Sequence, residues 1–153
     1  ASVRSGAYQR GLRQLDPDIA VTAKACPLFV PLVENGRFRR GDVVIETVAR
    51  EYLEPLRREG LDTLILGCTH YPLLTDIIGD IMGPGVTLIN TGEEAAWELK
   101  RTLRAMALLA PEGPAGRATL CASDQPEHFG SLASYFLGES LTRPVQPVDI
   151  DRY

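Results

Sequence analysis

The residues with the greatest capacity for chemistry lie together in one short segment of the chain. Cys68, Thr69 and His70 follow an apolar run at 61–66, from which the single residue Gly67 separates them. A cysteine thiolate can act as a base or a nucleophile, and an imidazole exchanges protons near neutral pH. Thr69 adds a hydroxyl that can hold a carboxylate or an amine of a small-molecule substrate. We therefore expect a reactive thiol at Cys68, with His70 close enough to share its site.

The elements predicted around this segment place it at the end of a strand. Leu61 to Leu66 (LDTLIL) is mostly apolar, as expected of a strand buried on both faces of a parallel sheet. Pro72 is well placed as the first residue of a helix that runs to Met82. Ligands of open α/β sheets bind beyond the carboxyl ends of the strands. The free N–H groups and positive dipole end of the predicted helix would favour a thiolate at Cys68 and would also bind a substrate carboxylate.

Other chemistries fit the sequence less well. Cys68 could instead be a small buried hydrophobic residue, a common role for free cysteines. The glycine before it and the Thr and His after it favour the reactive interpretation. Metal binding is a weak rival, because the remaining Cys and His residues (Cys26, Cys121 and His128) are isolated and lack the short spacings of metal ligands. The sequence also has no phosphate loop, dinucleotide fingerprint or G-x-S-x-G serine motif.

Strand and helix signals alternate along the chain. The pattern predicts an α/β fold with a parallel sheet and helices on both faces, a three-layer sandwich. Helices are predicted at 2–15, 41–58, 72–82, 91–109 and 126–137, and strands at 19–25, 61–66, 86–90, 118–122 and 145–148. The segment Cys26 to Glu34 contains two prolines and is predicted as a loop with a short helical turn.

Local patterns add detail to three of these elements. Thr91 and Glu94 match a capping box, which makes Thr91 the predicted N-cap of the helix that follows. The strand position of Cys121 favours a place in the core. Helical spacing puts Ile45, Val48, Tyr52 and Leu56 on one stripe of their helix. A buried stripe of Ala95, Leu99, Leu103 and Met106 is predicted on the helix that begins near Thr91.

Length, charge and cysteine count narrow the function classes. The 153 residues fit one domain at a prior of about 150 residues per domain. No apolar run approaches the ~18 residues of a membrane span. The formal net charge of −4 gives no reason to expect direct nucleic-acid binding. Three cysteines do not make a disulfide framework, so we infer a reduced, cytoplasmic setting.

Four segments resemble glutamate racemases in the expected order and spacing. The run at 64–74 (LILGCTHYPLL) resembles the second catalytic cysteine motif of that family. The runs at 25–34 (ACPLFVPLVE), 5–8 (SGAY) and 89–94 (INTGEE) resemble other parts of the family sequence. Together they cover most of residues 1–95, and four matches in register are far more specific than one motif.

The resemblance implies a two-domain, pseudo-symmetric racemase fold. Residues 1–93 would form most of the second α/β domain, and residues 94–153 would return to the first. The family interconverts L- and D-glutamate without a cofactor and supplies D-glutamate for peptidoglycan and so for cell shape. Two cysteines on opposite faces of the substrate Cα exchange its proton, because a single base returns the proton to the face from which it came.

Site residues follow from the same resemblance. Cys68 corresponds to the second thiol, Thr69 and His70 would contact the substrate, and His70 would help to set the protonation of the thiol. Glu34 corresponds to a carboxylate that supports the catalytic site, although a solvated charge at the end of a short helix is an equal alternative. Cys26 matches a family cysteine that is not catalytic, so we expect it to be structural.

The chain departs from the family in the segments around the first catalytic cysteine. The Asp-Ser-Gly-x-Gly-Gly segment that holds the substrate is absent, and so is the Asn-Thr-Ala segment that follows the first catalytic cysteine. Cys26 and Cys121 lack those surroundings. The chain therefore resembles a racemase from its middle to its C-terminus, and we expect these residues alone to be inactive.

Three alternatives remain at this point. Another racemase of the superfamily, of the aspartate or hydantoin type, is the nearest, but aspartate racemases usually carry Glu where His70 stands. A non-catalytic binding module is a second, and a truncation of a complete enzyme is a third. Residues left without partners in an incomplete domain would expose Leu99, Leu103 and Met106, so we also expect a homo-oligomer.

Overall fold

A computed structural model describes residues 2–113 and 116–152 of the chain. Contacts divide these residues into two compact units, one that ends at Thr102 and one that begins at Leu103. Both units contain helices and parallel strands, so the α/β prediction is confirmed. Within the described residues, none of the helices combines the length and the apolar character needed to cross a membrane.

The first unit is built around a pair of parallel strands. Its elements, in chain order, are α1 (Ser2–Ser5), α2 (Ala7–Leu15), α3 (Phe29–Glu34), α4 (Val43–Arg58), β1 (Thr63–Leu66), a 3-10 turn (Tyr71–Leu74), α5 (Thr75–Met82), β2 (Thr87–Asn90) and α6 (Thr91–Ala105), whose last three residues lie beyond the boundary at Thr102. The strands pair in register from Thr63 with Thr87 to Leu66 with Asn90. The carboxyl ends of both strands therefore lie at the same edge of the sheet.

The core of this unit lies between the helices and the sheet. α4 begins at the N-cap Asp42, whose carboxylate accepts a hydrogen bond from the N–H of Val44 at 3.0 Å. The chain turns away after α4 at Gly60, which has a φ of 71°. The buried set, all apolar, is Cys26, Phe29, Val33, Ile45, Ala49, Leu53, Leu56, Leu66, Leu74, Ile77, Ile78, Ile81 and Met82.

The stripe predicted on α4 contacts the core, with Ile45 and Leu56 buried and Val48 and Tyr52 packed at its edge. The expectation that β1 is buried on both faces needs adjustment, because Thr63 is exposed and only Leu66 is fully buried.

Two predictions near the N-terminus are wrong. The single helix predicted at 2–15 is two helices, because Gly6 has a left-handed φ of 64° that interrupts helical geometry. The strand predicted at 19–25 is an irregular segment. A strand needs a hydrogen-bonded neighbour, and this segment pairs with no strand among the described residues. The segment is instead attached through a side chain, since the hydroxyl of Thr22 donates to the Glu59 carboxylate at 2.7 Å.

The cap of α6 also differs from the prediction. Asn90, at the end of β2, accepts hydrogen bonds through its side-chain oxygen from the N–H groups of Gly92 at 3.1 Å and Glu93 at 3.3 Å. Asn90 therefore caps the helix, and the capping box at Thr91 and Glu94 is not formed. The Thr91 hydroxyl instead donates to the carbonyl oxygen of Leu66 at 3.0 Å. This bond ties the start of α6 to the end of β1.

The apolar stripe predicted to be buried along α6 is largely exposed. The helix ends at Ala105 rather than near Leu109. Leu99 is 58% exposed, Met106 is exposed beyond the helix end, and Leu103 is only partly covered. The periodicity was sufficient to predict a helix, but the described residues do not cover its apolar side chains.

The second unit is smaller. It contains β3 (Cys121–Ala122), α7 (Pro126–Leu137), β4 (Gln146–Pro147) and a 3-10 turn (Ile150–Arg152), with β3 and β4 parallel. The helix has the predicted bounds, while both strands are shorter than predicted. Cys121 is exposed, which corrects its expected place in the core. Side chains alternate along a strand, and it is Ala122 that points inward and is partly buried.

Candidate active site

The turn after β1 carries the candidate catalytic segment. The N–H of Tyr71 donates to the carbonyl oxygen of Cys68 at 3.1 Å, and the N–H of Leu73 donates to that of His70 at 3.2 Å. Cys68, Thr69 and His70 therefore lie on a hydrogen-bonded turn at the carboxyl end of β1, where the sequence placed them. This is the edge at which open α/β sheets bind their ligands.

The helix after this turn starts later than predicted. A 3-10 turn, Tyr71–Leu74, precedes α5, and Leu74 leaves helical geometry with φ −101° and ψ 6°. The predicted helix at 72–82 is thus two elements. The first turn of α5 starts at Thr75, seven positions after Cys68 in the chain, so the sequence argument that a helix N-terminus favours the thiolate loses its basis.

The His70 ring lies between the thiol and a carboxylate. Its Nδ1 atom is 4.0 Å from Sγ of Cys68 and 3.2 Å from the hydroxyl oxygen of Thr69. Its Nε2 atom is 3.1 Å from Oε1 of Glu34. His70 is largely buried, with 18% of its side chain exposed, while Glu34 is 37% exposed. All four residues predicted for the site are therefore brought together.

The contact with Glu34 determines which ring nitrogen of His70 carries the proton, and so which nitrogen can accept a proton from Cys68. A carboxylate only accepts hydrogen bonds, so the Nε2–H of His70 donates to Glu34. In a neutral imidazole, Nδ1 then carries a lone pair that faces Cys68 and Thr69. The ring can take a proton from the thiol on that side, and Glu34 can balance the positive charge that results.

Aromatic packing fixes the two elements that carry Glu34 and His70 against each other. The ring of Phe29, at the start of α3, meets the rings of Tyr71 and Tyr52 edge to face, each with 5.4 Å between centroids. The hydroxyl of Tyr71 donates to the carbonyl oxygen of Cys26 at 3.4 Å. Burial raises the pKa of Tyr71 to about 12, so this hydroxyl keeps its proton. The cluster fixes α3 against the turn that carries His70.

The other two cysteines lie in different surroundings. Cys26 is buried in the core of the first unit, in agreement with a structural role, and burial raises its pKa to about 11. Cys26 is therefore a thiol at neutral pH. Cys121 is exposed in the second unit. The residues that the structure describes contain no group of three or more His, Cys, Asp or Glu side chains placed to hold a metal ion.

Two features of this edge were not predicted. Thr91 binds the carbonyl oxygen of Leu66, a contact that follows from the register of β1 with β2 rather than from any local motif. The ring of Tyr8 lies against Gly67, the residue before Cys68. Tyr8 belongs to one of the segments of racemase resemblance, but nothing in its own surroundings in the sequence points to this partner.

The chain is similar in sequence to known glutamate racemases. No family model matches it. The glutamate racemase of Geobacter metallireducens is 41% identical over 140 residues, which are 92% of this chain and 51% of that protein. The chain spans about half the length of the curated relatives it matches.

Solved structures of glutamate racemases also match nearly the whole chain and about half of their own length. The glutamate racemase of Francisella tularensis, in complex with D-glutamate, matches 99% of this chain and 56% of its own with a TM-score of 0.85 and 30% identity. The glutamate racemase of Thermus thermophilus, in complex with β-chloro-D-alanine, matches 100% of this chain and 55% of its own with a TM-score of 0.82 and 44% identity. Over nearly all of its length this chain is homologous to glutamate racemases, and it corresponds to about half of one.

Proposed function

We propose that the protein containing this chain interconverts L-glutamate and D-glutamate, and that Cys68 is one of its two acid–base groups. The observation that carries the proposal is the approach of Cys68 Sγ to within 4.0 Å of His70 Nδ1 at the carboxyl end of β1. Homology to glutamate racemases over nearly the whole chain supports the choice of substrate.

In the proposed reaction, Cys68 works in both directions. As a thiolate it takes the Cα proton of one enantiomer and becomes a thiol, which leaves a planar carbon with carbanion-like charge. A second group on the opposite face gives that carbon a proton, and the other enantiomer is formed. In the reverse direction the Cys68 thiol is the donor. Since a C–H bond is a weak acid, the two groups must be held close to Cα, and proton transfer by a positioned group accelerates a reaction by about 10²–10⁴-fold.

His70, Glu34 and Thr69 take supporting roles in this proposal. His70 Nδ1 accepts the proton of the Cys68 thiol and so prepares the thiolate. Glu34 holds the ring through Nε2 and balances its charge. Thr69 offers its hydroxyl to a carboxylate or the amine of glutamate. These roles need no metal and no cofactor, because the protein groups themselves carry the proton.

The second acid–base group is proposed to come from outside these 153 residues. Cys26 is unsuited to the role, because a thiol with a pKa of about 11 is not ionised at neutral pH. Cys121 lacks the sequence surroundings of the first catalytic cysteine of the family. We therefore expect the 153-residue polypeptide alone to show no turnover.

The biological setting follows from the proposed product. D-glutamate would serve peptidoglycan synthesis in the cytoplasm and thereby the cell wall and cell shape. Residues 1–93 would form most of the second domain of the enzyme, and residues 94–153 would return to the first. The exposed apolar side chains of Trp97, Leu99 and Met106 favour self-association of the isolated polypeptide. Light scattering that shows a stable monomer would exclude this association.

A racemisation assay tests the proposal. The full-length protein is incubated with L-glutamate and separately with D-glutamate, without added cofactor or metal. The circular dichroism signal of the glutamate is followed over time. We expect both enantiomers to reach the same racemic end point, and aspartate to react much more slowly. Loss of optical activity with aspartate but not with glutamate would instead favour an aspartate racemase, and loss with neither would favour a binding module.

A further inference from the structure

The residue before Cys68 is in unusually close contact with an aromatic ring. A β-carbon placed on Gly67 would lie 3.1 Å from the hydroxyl oxygen of Tyr8, 3.2 Å from its Cζ and 3.3 Å from its Cε2. Carbon atoms in favourable contact are about 3.5–4.0 Å apart. A side chain at position 67 would therefore be tighter against Tyr8 than an ordinary contact, and the Tyr8 side chain would have to shift by a few tenths of an ångström to admit it.

The need for glycine at this position comes from packing and not from backbone conformation. Gly67 has no positive φ, whereas Gly6 and Gly60 do. An alanine at this position would not be strained by a positive φ, but its methyl group would press against the Tyr8 side chain. The absence of a side chain at Gly67 therefore leaves room for Tyr8.

Tyr8 is held in place by the start of its own helix. It lies in the first turn of α2, just after the left-handed Gly6. The guanidinium of Arg10 donates to the carbonyl oxygen of Ser5 at 2.6 Å and closes this turn. Tyr8 is 38% exposed, so the residue lies at the surface and is covered only in part.

The backbone that leads into Cys68 is therefore fixed at two successive residues. The hydroxyl of Thr91 donates to the carbonyl oxygen of Leu66, and the ring of Tyr8 packs on Gly67. Consecutive Cα atoms are 3.8 Å apart, so a displacement of Gly67 passes directly to Cys68. A shift of about 1 Å at a catalytic group can cost about 10²-fold in rate.

We propose that Tyr8 is a positioning residue, which holds Cys68 in place through its contact with Gly67. This inference rests on the proposed racemase function. Tyr8 does not need to touch the substrate. The hydroxyl oxygen and two ring carbons all face Gly67. The ring carbons remain in phenylalanine, so the role is one that phenylalanine can largely fill.

Four variants of the full-length protein test this role. Gly67→Ala pushes a methyl group into the ring, Tyr8→Ala removes the ring, and a double variant combines both changes. Tyr8→Phe keeps the ring. Gly85→Ala is the matched control, because a β-carbon at Gly85 meets nothing within 4 Å and this glycine has no positive φ.

The expected result is a specific pattern of non-additive losses. Gly67→Ala and Tyr8→Ala each lower kcat about tenfold or more while KM changes less than about twofold, because the thiol and not the binding surface is displaced. The double variant has the kcat of Tyr8→Ala rather than the product of the two losses, since the ring is already absent and the added methyl group meets nothing. Tyr8→Phe rescues the loss seen in Tyr8→Ala, and Gly85→Ala behaves like the parent. Melting temperatures are measured alongside to identify variants that do not fold.

A second readout does not depend on racemisation. The rate at which iodoacetamide alkylates Cys68, identified by peptide mass mapping, should change in both Gly67→Ala and Tyr8→Ala, and the double variant should match Tyr8→Ala. If the parent protein does not racemise but alkylation shows this pattern, the proposed function fails and the positioning role stands. If the parent racemises and the losses of the two single variants multiply in the double variant, the positioning role is overturned. Should Gly67→Ala fail to fold, equal kcat in Tyr8→Ala and Tyr8→Phe overturns it.

Discussion

The Nε2 atom of His70 lies 3.1 Å from the carboxylate of Glu34, although 36 positions separate the two residues in the chain. This contact joins the end of α3 to the turn after β1. It leaves Nδ1 of His70 facing Cys68, 4.0 Å from its Sγ atom. A line of three side chains therefore connects a partly exposed carboxylate to the candidate thiol.

Removing the charge of Glu34 tests whether this line matters. A hydrogen bond to a charged group contributes about 1.5–3 kcal/mol, and 1.36 kcal/mol corresponds to about tenfold in rate. Because Glu34 is partly exposed, we expect Glu34→Gln to lower kcat of the full-length protein by about tenfold, at the low end of that range. Glu51→Gln, on the exposed face of α4, is the control and should leave kcat unchanged. Equal kcat in the two variants would rule out a role for the Glu34 charge.

The aromatic cluster behind the site should carry a large share of the local stability. Phe29 is 1% exposed and contacts both Tyr52 and Tyr71. We expect Phe29→Ala to lower the free energy of unfolding by about 3–5 kcal/mol. Its neighbour Leu28 is 48% exposed, and Leu28→Ala should change it by less than about 0.5 kcal/mol. Urea denaturation followed by circular dichroism measures both, and similar losses in the two variants would contradict the packing account.

A surface ion pair predicts a pH dependence of stability. The guanidinium of Arg40 donates to both carboxylate oxygens of Asp80, at 2.7 and 2.8 Å. These hydrogen bonds hold the pKa of Asp80 below its ordinary value. A carboxyl group with a lowered pKa in the folded state stabilises the protein above its unfolded pKa, and that contribution is lost as the pH falls through the folded value.

Asp80→Asn should therefore melt at a slightly lower temperature than the parent at neutral pH. The difference should shrink as the pH falls below the ordinary carboxyl range, and also at high salt, because both groups are exposed. Asp62→Asn, at an exposed position before β1, is the control. A difference in melting temperature that persists unchanged at acidic pH would show that the pair is not its source.

Local signals predicted those elements whose ends are set by their own residues. Pro126 suits the first turn of a helix, and Gly138, with a left-handed φ of 69°, ends it, so α7 has the predicted bounds. Strands are harder to predict from local signals, because a strand forms only when it pairs with another segment of the chain. The run at 61–66 contains β1, while the equally plausible run at 19–25 is not paired.

The site was predictable in part for the same reason. Cys68, Thr69 and His70 are adjacent in sequence, so their grouping could be seen directly. Glu34 was predicted only through family resemblance, because its contact with His70 depends on how α3 packs. The contact between Tyr8 and Gly67 depends on how α2, which is distant in sequence, packs against the turn after β1. A glycine after a strand does not indicate which aromatic side chain will pack on it.

The central claim is that the Cys68 thiol transfers the Cα proton of glutamate. Racemisation of L-glutamate by the full-length protein is measured in D₂O by circular dichroism, with deuterium at Cα followed by NMR. We predict that Cys68→Ala lowers kcat by about 10²–10⁴-fold from either enantiomer, and lowers Cα exchange by a similar factor for the enantiomer whose proton Cys68 takes. Cys121→Ser, at an exposed cysteine, should match the parent in both kcat and exchange. A Cys68→Ala protein that still racemises glutamate within about tenfold of the parent rate would contradict the account, because a positioned acid–base group is worth more than that.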